Sequence, residues 1–256
     1  MTDPRKFKAP FNPKERIWQE ADRVRAAHPA GRSLPVQVLD LAEFDLGLDL
    51  IPTDGLREHL DIDALLMGDL KSILVDRRGF MNPRLEYRLR FSIAHEIGHL
   101  ILHRDIYAGL RHATAAEWFD YISAIPEVEY GWVEWQAYEF AGRLLVPLEP
   151  LREAFQAAIQ SAQAAGYSDW LAADEAALDY IATRIAPKFG VSCRRIFNCA
   201  EGATEISPAV ARNELLWVNV PQNNSPSPRR TRRGPGWSRI WFECCACRVR
   251  VENVTF

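Results

Sequence analysis

His95-Glu96-Ile97-Gly98-His99 sets two imidazoles and a carboxylate in the spacing H-E-x-x-H. On a helix, His95 and His99 lie one turn apart on one face, where both rings can bind a single zinc ion. Glu96 then projects beside the ion, where a carboxylate can take a proton from an attacking water. The chemistry that such a set performs is metal-assisted hydrolysis. The residues around it suit a helix. Leu85 to Leu102 holds no proline, and apolar residues recur at 89, 93, 97, 100 and 101. Gly98 weakens a helix interior by about 1 kcal/mol relative to alanine. Close approach of a metal, a substrate or another backbone would justify it.

A catalytic zinc has three protein ligands and one open position. His103 is eight residues beyond His95, about 12 Å along a helix axis, too far to share the ion. The extended pattern with a glycine and a third histidine is absent, because Leu102 and Asp105 occupy those positions. His103 instead suits a helix C-terminal cap, with a place beside the metal ligands as the lesser alternative. The third ligand must come from a later helix. Glu134 leads the stripe Ala137, Ala141, Leu144 and Leu145, so its carboxylate would face inward, and small residues there would let two helices sit close. A buried acid needs a partner, and a metal is one. Glu139 is the rival, off that stripe; a solvated acid at a helix start is the plainer alternative for Glu134.

The two blocks, Arg88 to His103 and Glu134 to Pro147, resemble the signatures of the ImmA/IrrE metallopeptidases. The resemblance covers about residues 17–201. It implies an α+β, zincin-like metallopeptidase domain with a small sheet, an active-site helix, a Glu-ligand helix and further C-terminal helices. It implies zinc bound by His95, His99 and Glu134, with Glu96 as general base. It also implies action on a helix-turn-helix transcriptional repressor, by cleavage or by relieving repression. Two departures are visible. No helix-turn-helix module precedes the peptidase region, and Ser92 stands where relatives often carry threonine.

The elements that must hold these residues are legible in outline. Lys14 to Ala27 reads as an amphipathic helix. Pro35 suits the first position of a second helix that Gly47 ends. Residues 48–51 suggest a strand, and residues 64–67 with 72–75 a hairpin or sheet edge. Ser72 to Asp76 is the candidate edge for pairing with an extended peptide, with an interior strand as the alternative. Residues 150–165 and 172–186 read as scaffold helices. Phe189-Gly190-Val191-Ser192 looks like a C-cap followed by an N-cap. The short helices around it, with Arg194 and Arg195, could pass for a DNA reader, but packing is the preferred reading.

With 256 residues, 48% hydrophobic and 25% charged, the chain has the composition of a globular protein. The expected organisation is an extension over 1–12, the metallopeptidase domain over 13–202 and a C-terminal extension over 203–256. No apolar run is long enough to span a membrane, and Met1 to Lys6 lacks the apolar core of a secretory signal. Five cysteines, three of them at 244, 245 and 247, do not form a disulfide framework. A cytoplasmic location is expected. Residues 222–256 carry seven arginines and two glutamates, net +5, against −8 for the rest. This basic tail would serve as an arm for nucleic acid, but a solvated tail is the preferred reading. Cys244, Cys245 and Cys247 lack the spacing of a second zinc site.

The expected function is therefore a zinc-dependent endopeptidase. The alternative is a non-proteolytic zinc-binding regulator or sensor that relieves repression by binding. Tyr121, Tyr130 and Tyr138 are candidate donors to the tetrahedral oxyanion.

Overall fold

The computed structural model describes residues 3–108, 115–164 and 175–201. The basic tail, its cysteines and the expected 203–256 extension lie outside them.

Lys14–Ala27 forms the first long helix, α1, and buries Ile17, Ala21 and Val24, the four-then-three spacing of one helical face. The short α2 (Pro29–Arg32) follows. The next helix starts later than Pro35. α3 spans Val38–Asp40 and runs into a π-helical turn, Leu41–Asp45. Pro35 stays outside because its carbonyl accepts from Ser33 Oγ and Gln37 Nε2. Gly47, at φ +64°, then turns the chain into β1 (Asp49–Thr53).

The sheet has three strands. After α4 (Leu56–Leu60) come β2 (Ala64–Leu66) and β3 (Ser72–Asp76), in the spatial order β1-β3-β2. β2 and β3 form the expected antiparallel pair, Leu65 opposite Leu74. β3 also pairs in parallel with β1, Asp49 opposite Ser72. Ser72–Asp76 is thus the central strand and no peptide-binding edge. Both of its sides are taken, because α4 and β2 connect β1 to a parallel neighbour. The edges are β1 and β2.

After α5 (Arg77–Phe80) the chain enters α6 (Glu86–Leu102), buried on every side from Leu89 to Leu100. A helix buried all round needs neighbours all round. β2 lies on one side and α9 (Glu127–Leu145) on another, reached through α7 (Arg104–Ala108) and α8 (Ala115–Ser123). α1 covers the outer side of α9, with Arg143 donating to both carboxylate oxygens of Asp22 at 2.9 and 2.6 Å. α10 (Leu148–Ala164), α11 (Glu175–Phe189) and α12 (Cys193–Glu201) complete the helices. A single apolar cluster runs from Ile17 through Ile93, Ile97 and Phe140 to Ile196.

Gly190 has φ +62°, which a side chain rarely tolerates. It also leaves room for Arg90, whose buried guanidinium donates to Gly190 O at 3.0 Å and Val36 O at 2.6 Å. Arg195 is buried, its guanidinium 3.7 Å from the centroid of Phe91 and 4.0 Å from that of Tyr138. This arginine packs, as preferred over a DNA-reading role. Among the described residues, no helix is long and apolar enough to cross a membrane.

Candidate metal centre

α6 brings His95 and His99 to one face, with Nε2 atoms 3.0 Å apart. α9 supplies Glu134, whose Oε2 lies 3.2 Å from His95 Nε2 and Oε1 3.4 Å from His99 Nε2. α9 begins at Glu127, so Glu134 sits two turns inside the helix and is no solvated terminal acid. Glu139 is committed elsewhere: it accepts from Trp18 Nε1 at 3.2 Å and pairs with Lys14 at 3.5 Å.

The helices approach closely because of Gly98. A Cβ there would stand 3.0 Å from Ala137 O, 3.1 Å from Ala137 Cα and 3.2 Å from Phe140 Cδ1. Among the reasons considered for this glycine, the close neighbouring backbone is met in the structure. The small Ala137 and Ala141 are buried on the facing helix, as their positions foretold.

The donor set fits a metal ion. Ligand atoms on a tetrahedral ion, at bonds of about 2.0–2.1 Å, stand about 3.3 Å apart. The two imidazole nitrogens are 3.0 Å apart and Glu134 Oε2 is 3.2 Å from His95 Nε2, both close to that value, while the other oxygen, Oε1, stands 3.4 Å from His99 Nε2. Both histidines are 1% exposed. Burial pushes the Glu134 carboxyl up, but the adjacent His99 and His95 rings outweigh it and hold its pKa well below the usual range. An ionised carboxylate facing two imidazole nitrogens is the electrostatic arrangement that a divalent cation needs.

Glu96 is buried at the start of the same turn. Burial raises its pKa, while His99, His95 and the Leu66 N–H act in the opposite direction. That N–H donates to Glu96 Oε2 at 2.8 Å. β2 is held in place for this bond by the buried Asp63, which accepts from Arg57 at 2.7 Å and Arg88 at 2.5 Å. Nothing in the motif foretold the role of Leu66, because a backbone donor leaves no mark on residue type.

His103 takes both places considered for it. Its backbone N–H caps α6 by donating to His99 O, but its ring turns inward and is 1% exposed. Its Nδ1 lies 3.1 Å from His99 Nδ1, and its Nε2 lies 3.2 Å from Gln136 Oε1. Burial, and then the neighbouring His99, push its pKa down to about 3, so the ring is neutral. Of the candidate oxyanion donors, Tyr138 packs edge-on against Phe91, and Tyr121 packs against the small cluster of Leu56, Ile62 and Leu65.

Residues 80–196 match the family model described as the IrrE N-terminal-like domain, Peptidase_M78. Over this segment the chain is similar to ImmA/IrrE-family peptidase domains, and the match supports membership of that family. The match takes in α6 and α9 entire, and with them both blocks that carried the resemblance. A search of curated proteins finds no match. Peptidases of this ImmA/IrrE class are metal-dependent, and His95, His99 and Glu134 are the group among the described residues that could hold the ion. The mainly helical fold with its small three-stranded sheet is the α+β, zincin-like arrangement expected.

Proposed function

We propose that this chain is a zinc-dependent endopeptidase that hydrolyses a peptide bond in a regulatory protein, a helix-turn-helix transcriptional repressor. The observation that carries the hydrolytic part is the convergence of His95, His99 and Glu134 within 4.8 Å of one another, with the buried Glu96 one residue along. The repressor is drawn from the family resemblance.

His95 Nε2, His99 Nε2 and a Glu134 oxygen would hold the zinc. When bound, it supplies Lewis acidity to the attacking water and the scissile carbonyl. Glu96 moves the protons. Its Oε2 is anchored by the Leu66 N–H, which fixes the direction in which the carboxylate faces. Buried beside the two imidazoles, this carboxylate is placed to take a proton from the attacking water and pass it to the leaving amine. The walls of α6 and α9 keep the two imidazoles dry and oriented, the preorganisation on which such sites depend.

The test is a Glu96→Gln variant incubated with zinc and the candidate repressor. It should bind zinc as the parent does and lose cleavage by roughly 10²–10⁴-fold. Normal cleavage by that variant would refute the assignment of the base. Equal relief of repression by parent and variant in a reporter assay would favour the non-proteolytic regulator instead.

A further inference from the structure

The ring of His99 is tied, through buried groups, to the segment that precedes α1. His99 Nδ1 faces His103 Nδ1 at 3.1 Å, and His103 Nε2 faces Gln136 Oε1 at 3.2 Å. Gln136 Oε1 also accepts from Asn12 Nδ2 at 2.6 Å, and Gln136 Nε2 donates to Pro10 O at 2.8 Å. His99, His103 and Gln136 are each no more than 2% exposed. Every contact in this chain except the last could be reversed by moving a proton or flipping an amide. The last could not. A proline carbonyl only accepts, so the Gln136 atom facing it must be the NH₂ group.

From that end the proton positions follow in order. Gln136 Oε1 is turned to His103, so His103 carries its proton on Nε2 and a lone pair on Nδ1. His99 must then donate from Nδ1, which leaves the lone pair on Nε2, the atom that faces His95 and Glu134. The reverse assignment sets two oxygens against each other at 2.8 Å, at Pro10.

We infer that Gln136 and His103 are positioning residues, which lock His99 into its metal-binding tautomer with the Pro10 carbonyl as the fixed reference. The inference rests on His99 being a metal ligand. It gives the N-terminal segment, 126 residues away from Gln136 in sequence, a part in building the site. Outer partners of this kind change metal affinity by roughly 10- to 100-fold when removed.

Long-range ¹H–¹⁵N correlation of the metal-free, full-length chain labelled with ¹⁵N-histidine reads the tautomers directly. The expected result is protonation at Nδ1 of His99 and at Nε2 of His103. A His99 proton on Nε2 would overturn the inference without any variant. Zinc affinity is then measured by competition with a chromogenic chelator. Gln136→Met should bind zinc roughly 10- to 100-fold more weakly and show mixed His99 tautomers. A folded Gln136→Met protein with parental zinc affinity and a parental histidine spectrum would refute the lock. If the parent itself bound no zinc while its tautomers were as stated, the metal reading would fail and the relay would stand.

Discussion

Gly98→Ala sets two known effects against each other, and the structure decides the sign. Replacing glycine by alanine inside a helix stabilises it by about 1 kcal/mol through backbone entropy. Against this stand the three contacts that a new Cβ would make, at 3.0, 3.1 and 3.2 Å. Two are with backbone atoms of Ala137 in the middle of α9, and neither can swing away as a side-chain tip could. α9 must retreat by a few tenths of an ångström. Inserting a methyl group into a packed seam costs about 1–3 kcal/mol. The balance is a net loss of about 1 kcal/mol, equal to a fall in Tm of about 2–4 °C for a domain of this size. The retreat also carries Glu134 away from His95 and His99, so metal affinity should fall with stability. Thermal unfolding of the metal-free variant, paired with a zinc titration, reads both. A higher Tm for Gly98→Ala would show that helix propensity outweighs the seam, and the account of this glycine would be wrong.

Other outcomes can be stated briefly. Arg90→Met should destabilise the chain by about 3–6 kcal/mol in urea unfolding, because Val36 O and Gly190 O each lose a guanidinium donor worth about 1.5–3 kcal/mol; a change under 1 kcal/mol would contradict this. Glu129 accepts from Lys8 Nζ at 2.6 Å and Ala9 N at 2.9 Å, and the Lys8 bond first, then Ala9, holds its pKa below the usual range. A depressed carboxylate contributes stability that is complete above its ordinary pKa and is lost as pH falls through the lowered one. Protection of the Ala9 amide, corrected for intrinsic exchange rate, should therefore persist from neutral pH to about pH 5 and vanish only in stronger acid. Loss of protection already at pH 6 would place the anchor elsewhere.

The centre was legible because its logic is local. H-E-x-x-H needs only helical periodicity to bring two rings together, and Glu134 announced itself as an acid on an apolar stripe. The segments that orient these groups were not legible. Gln136 is also a polar residue among small and apolar neighbours, which was a signal, but its partners Pro10 and Asn12 are distant in sequence. No periodicity links them. For His103 the cap was preferred to a place beside the ligands because C-terminal position and histidine chemistry suit a cap, while the direction of the ring depends on the packing of α9. β3 was misplaced for a different reason. A short apolar strand reads the same at an edge as in the middle of a sheet, and the difference lies in whether β1 returns to pair with it.

α6 and α9 meet at Gly98, and the chain between them runs through α7 and α8. An ion held by His95, His99 and Glu134 would fasten the two ends of that excursion together, acting as a reversible cross-link. A link of this kind narrows the freedom of the unfolded chain as a disulfide does. Occupancy and folding then become one linked equilibrium, in which each ion stabilises the native chain according to its own affinity. The ion that this site prefers can therefore be identified by melting the protein in a series of metals, before any substrate is known.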